Sequence, residues 1–117
     1  TLKIMLTNTA PNVSTHTVRA DVTELGAGNG YTSGGNAVTV TGSSQSSGTY
    51  SLTQSADVTF TASGGSIGSF RYAILYNDTP TSPADPLIAY WDYGSSITLA
   101  DGETLTVDLA ATILTIA

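Results

Sequence analysis

The chain has 117 residues, nine acids, three bases and a net charge of −6, with no cysteine. That length fits one domain. The missing thiols exclude disulfides, thiolate catalysis and cysteine-based zinc sites. Lys3, Arg19 and Arg71 are too few and too scattered to track a phosphate backbone, so neither nucleic acid nor an anionic membrane surface is an expected partner.

Charged residues make up 10% of the chain, against about 25% in ordinary domains. Twenty threonines and fourteen serines supply the polarity instead. No apolar run reaches the length of a membrane span. The start at Thr1 lacks the charged opening and long apolar core of a secretory leader, so none is expected.

In chain order, Leu2, Ile4 and Leu6 alternate with Lys3 and Met5, which predicts a strand. Residues 1–8 are also a candidate arm for exchange with another chain. Val18, Ala20 and Val22 alternate in the same way and predict a second strand. The stretch "LGAGNGYTSGG", Leu25 to Gly35, holds five glycines in eleven residues. A dinucleotide loop would need G-x-G-x-x-G after a strand and before a helix. Here "NAVTV" follows, a strand pattern, so the glycines are expected to supply sharp backbone bends or close approach. Tyr31 is expected to pack over this loop or to reach a neighbouring molecule.

"TGSSQSSG", Thr41 to Gly48, reads as a flexible surface loop. "ADVTFTAS" places Val58, Phe60 and Ala62 on one face. "FRYAILYND" places Phe70, Tyr72, Ile74 and Tyr76 on one face and Arg71, Ala73 and Leu75 on the other. "PLIAYWDY" is apolar on both faces, so this strand is expected to be covered on both sides or to meet a partner. "ADGET", between two strand patterns, predicts a hairpin with an Asp-Gly turn. "TILTIA" closes the chain as a last strand and a second candidate for exchange. Helical periodicity is absent. The pattern predicts an all-β chain of about eight to ten short strands, an antiparallel β-sandwich that could be jelly-roll-like, forming one domain over 1–117.

Chemical signals are sparse. Gly64-Gly65-Ser66-Ile67-Gly68 matches G-x-S-x-G, but a strand follows it and His16, the one histidine, lies fifty residues earlier. Asn77, Asp78 and Asp85 make a weak calcium candidate without the usual ligand frame. No catalytic residue, metal or cofactor is therefore assigned. Asn12-Val13-Ser14 and Asn77-Asp78-Thr79 match the glycosylation sequon, as chance allows in so Thr- and Ser-rich a chain. Tyr90, Trp91, Asp92 and Tyr93 are the densest aromatic run. They read as core or as interface, and Trp91 beside Asp92 also suits sugar stacking. Tyr31, Tyr90, Trp91 and Tyr93 are the candidate interface residues.

The series "GAGNGYTSGG", "FRYAILYNDT", "PLIAYWDYG" and "TLADGETLTVDLAATILTIA" resembles small β-rich virion proteins of tailed bacteriophages, over about Leu25 to Ala117. The resemblance implies a structural protein and no active site. In one form it is a capsid decoration, or cement, protein on the outer capsid surface. There it bridges neighbouring copies of the major capsid protein and forms a homo-oligomer, trimer or dimer. In another form it is a receptor- or glycan-binding module of a head or tail fibre.

Overall fold

A computed structural model describes residues 2–12, 14–54, 57–82, 84–107 and 112–116. The chain is all-β apart from one short 3-10 turn, and every strand pairing is antiparallel. The strands are β1 (Leu2–Thr7), β2 (Asn36–Ala37), β3 (Val40–Ser46), β4 (Thr49–Gln54), β5 (Val58–Thr61), β6 (Ile67–Asn77), β7 (Leu87–Leu99), β8 (Thr104–Val107) and β9 (Thr112–Ile116). They form a four-stranded sheet in the order β2-β1-β6-β7, a three-stranded sheet β3-β4-β9 and a two-stranded pair β5-β8.

The four-stranded sheet organises the core, because its two central strands are covered on both faces. Leu2, Ile4 and Leu6 of β1 join Phe70 and Leu75 of β6 and Val58 and Phe60 of β5, with Leu105 and Val107 of β8 packed against them. Met5, Ile74 and Tyr76 point the other way and meet Val22 and Leu87. Burying one such side chain as fully as Phe60 is worth ~1.5–3 kcal/mol. β1 is thus a central strand of its own sheet, and not the projecting arm that residues 1–8 suggested.

Several expectations change. Val18 to Val22 is no strand: Arg19–Asp21 forms the 3-10 turn. The Asp21 carboxylate accepts the N–H groups of Thr17 at 2.9 Å and Val18 at 3.2 Å, a local bond that competes with strand pairing. Thr41–Gly48 is no loose loop but the first half of the β3–β4 hairpin. Ser47 (φ 51) and Gly48 (φ 83) make its tight turn. "ADGET" turns the chain but joins no hairpin. Among residues 100–103 only Gly102 (φ 88) takes positive φ, whereas a type I′ turn needs two such residues. The turn is a corner that delivers β7 to one sheet and β8 to another. Phe70 leaves the face of Ile74 and Tyr76, since the β6–β7 register shifts on both sides of it.

Candidate functional site: an aromatic edge strand

β7 lies at the edge of the four-stranded sheet. The apolar composition of "PLIAYWDY" led to two options, cover on both sides or a partner, and among the described residues the cover is absent. Trp91 is 40% exposed, Tyr90 43% and Tyr93 64%, with Ile88 also exposed. Sheet order decides this, since the doubly covered positions go to β1 and β6.

A wide bulge shapes the strand. Tyr72 pairs with Asp92 and Phe70 with Ile97, so Tyr93, Gly94, Ser95 and Ser96 stand opposite Arg71 alone. Gly94 takes φ +98 within it, a conformation that glycine adopts without steric cost. Arg71 holds the bulge in place. Its Nε donates to Asp92 Oδ1 at 2.8 Å and its Nη2 to Asp92 Oδ2 at 3.0 Å. The Gly94 N–H donates to the same Oδ1 at 2.8 Å. The Arg71 bonds first, then the Gly94 N–H, hold the Asp92 carboxyl below its usual range. At the base of the bulge, Ser96 Oγ donates to Asn8 Oδ1 at 2.7 Å. Tyr93 is thereby carried outward on a fixed support.

The two faces of β7 differ. On one, Tyr90 meets Tyr72 edge-on, with ring centroids 6.2 Å apart, and Arg71 lies 5.4 Å from the Tyr72 ring centre. On the other, Trp91, Tyr93, Ala73, Ile97 and Val107 line a groove of about 240 Å³ that also carries the Arg71–Asp92 pair. Such a surface can hold a flat or extended partner through aromatic contact with one bidentate polar group beside it.

Tyr31 does not belong to this surface. It is 2% exposed and stacks at a tilt on Phe60, centroids 5.8 Å apart. Its hydroxyl donates to Glu24 Oε1 at 2.8 Å and accepts the Leu6 N–H at 3.0 Å. Expected at an interface, it is a core residue, because the glycine loop folds back and carries it inward. Glu24 also accepts the Gly34 N–H at 2.5 Å and pairs with Arg19 at 2.6 Å. Desolvation alone would push the Glu24 carboxyl up, but the Arg19, Tyr31 and Gly34 donors together outweigh it and hold it below its ordinary range. The loop therefore wraps a carboxylate of its own chain. At Gly35, φ +76, a Cβ would lie 1.8 Å from the Ile4 carbonyl oxygen, and at Gly30 a Cβ would lie 2.3 Å from the Thr61 oxygen. Close backbone approach is what these glycines provide.

The remaining candidates stay apart. His16 lines a groove beside Ile74 and Leu87–Tyr90, toward the far end of β6. Ser66 immediately precedes β6. About seven strand residues at ~3.3 Å each separate those positions, on the order of 20 Å. Asp78 is taken by Lys3 at 2.9 Å, and Arg19 Nη1 lies 3.8 Å from Asp85. Among the described residues no three His, Asp or Glu side chains gather as metal ligands. Sequence reasoning missed Arg71 as the clamp of the site and Glu24 as the hub of the loop. Arg71 is bonded across a register shift that alternation does not encode. For Glu24 the one available signal was an acid beside a glycine-rich turn with several free N–H groups.

No protein family matches the chain, and neither a curated protein nor a solved structure matches it.

Proposed function

We propose that the chain is a structural, adhesive protein of a tailed-bacteriophage particle, a capsid decoration protein on the outer surface that ties neighbouring major-capsid subunits together. The particle and its location rest on the resemblance of Leu25 to Ala117 to such virion proteins. The observation that carries the adhesive role is the edge strand β7, which presents Tyr90, Trp91 and Tyr93 from a sheet whose centre is buried on both faces. Aromatic side chains are enriched where proteins meet. A rigid support lowers the entropy that each contact must overcome. Many modest contacts across a lattice then add up by multivalency.

Particles stripped of the protein and then reconstituted with it are expected to regain heat tolerance. Reconstitution with Trp91→Ala/Tyr93→Ala, correctly folded, is expected to restore far less. Equal restoration by both forms would count against β7 as the adhesive surface.

A second reading is favoured by one observation. The groove beside Trp91 and Tyr93 pairs aromatic faces with the Arg71–Asp92 group, a chemistry that suits a sugar ring. Glycan-array binding that vanishes in Trp91→Ala while the melting curve is unchanged would move the protein to a fibre-borne recognition module.

A further inference from the structure

We infer that β7 is the seam of a homodimer, in which a second copy of this chain adds its own β7 antiparallel across a two-fold axis. The inference rests on the reading of β7 as the adhesive surface and names its occupant: copies joined at β7 tie together the capsid subunits on which each copy sits.

Among the described residues, the outer edge of β7 is covered only at its start. Val18 bridges Pro86, and the Leu87 N–H donates to the Thr17 carbonyl at 2.9 Å. From Ile88 to Asp92 the side away from β6 has no backbone partner among the described residues. Beyond Asp92 the bulge takes over. The open segment thus runs from a bulge at Ile88 to the wider one after Asp92, with Ala89–Asp92 in regular register between them. An edge of this kind accepts another strand.

Charge favours a second copy as that strand. The chain carries −6 overall, yet the seam is neutral. Between Leu87 and Tyr93 the only charged residue is Asp92, already bidentate on Arg71. The other bases are also matched, Lys3 with Asp78 and Arg19 with Glu24. Two copies can meet here without the repulsion that net charge would otherwise impose, and the seam offers a basic partner no surplus of acid.

Side-chain sizes select the register. With Tyr90 on the two-fold axis, each Trp91 stands opposite Ala89 of the second copy, a large side chain over a small one. Asp92 then stands opposite Ile88. Centring on Asp92 would set two carboxylates face to face, which destabilises a strand pair. Centring on Trp91 would stack two indoles, set each Tyr90 against Asp92 and leave Ala89 to face Tyr93, which lies in the bulge.

The area is sufficient for a modest dimer. Tyr90, Trp91 and Tyr93, each roughly half exposed, carry on the order of 300 Å² of uncovered aromatic surface. With Ile88 and the strand backbone the seam removes about 800–1,000 Å² in total, the low end for specific association. An interface of that size belongs to the weak, reversible class, so the dimer is sought across the micromolar range.

Sedimentation equilibrium of the full chain tests this, together with a single-cysteine variant in a background free of cysteine. Opposed residues in an antiparallel pair have Cα atoms ~4.5–5.5 Å apart, within disulfide reach. Tyr90→Cys is therefore expected to give a covalent dimer in oxidised glutathione. Thr59→Cys, exposed on β5, is expected to give none above the level set by random collision. Trp91→Glu, with its fold confirmed by circular dichroism, is expected to weaken the dimer at least about tenfold. A chain that stays monomeric throughout the micromolar range overturns the inference, and so does a dimer that Trp91→Glu leaves intact or that Tyr90→Cys fails to cross-link. A monomer that still restores heat tolerance to stripped particles removes the two-fold seam and keeps the cementing role. A cross-linked dimer without effect on particles keeps the seam and removes that role.

Discussion

Glu24 and Gly35 show how single residues fix the glycine loop. A Cβ at Gly35 would overlap the Ile4 carbonyl and also force positive φ on a side chain. Gly35→Ala is expected to lower unfolding free energy by about 3 kcal/mol or more, read by urea melts. Tyr31→Phe leaves the buried Leu6 N–H without its acceptor and is expected to cost ~1–3 kcal/mol in the same assay. The Glu24 carboxyl is held below its ordinary value of 4.5, so the folded state binds that proton less readily than the unfolded one. Its contribution to stability is complete above that ordinary value and is lost as pH falls through the depressed one. The melting temperature should therefore drop on acidification below about pH 4.5. Glu24→Gln should melt lower at neutral pH and show a shallower acid limb. Burial pushes the Tyr76 hydroxyl up to about 12. Unfolded tyrosine ionises near ~10, so that contribution holds below pH ~10 and fades as pH rises through the folded value. The need for bent backbone at the loop was legible from glycine spacing alone. The inward turn of Tyr31 was not, because its partners Leu6 and Glu24 come together only in three dimensions.

Elements were legible where alternation is undisturbed and illegible where side chains capture the backbone. β1, β5 and the Phe70–Tyr76 part of β6 follow from period-two patterning. The 3-10 turn at Arg19–Asp21 does not, because the Asp21 carboxylate takes two N–H groups that a strand would have used for pairing. β3 was missed because serine and glycine are poor strand formers, and its pairing with β4 and the Ser47–Gly48 turn supply what its composition lacks. β7 was legible as an unusual strand with aromatic residues on both faces, but its edge position was not, since sheet order depends on connections between distant segments. At this scale the Arg71–Asp92 clamp carries a prediction. Arg71→Ala should leave the sheet folded and speed amide hydrogen exchange at Gly94, whose N–H donates to the Asp92 carboxylate that Arg71 orients. Unchanged exchange there would show that the bulge is held by backbone alone.

As a whole molecule, the chain combines a core covered on both faces with one uncovered aromatic edge. The neutral seam on an acidic protein follows from where its three bases are placed. Lys3, Arg19 and Arg71 sit on or beside the four-stranded sheet, each against an acid. The all-β class was legible from composition and alternation, whereas the division into sheets of four, three and two strands was not. An adhesive protein of this design is expected to protect its open edge only when assembled. Amide hydrogen exchange of the segment 88–92, compared between the dilute free chain and the chain bound on its particle, tests that claim most directly. Strong slowing at 88–92 on assembly is expected, with the β3–β4 turn at Ser47–Gly48 unchanged. Equal exchange at 88–92 in the two states would contradict it.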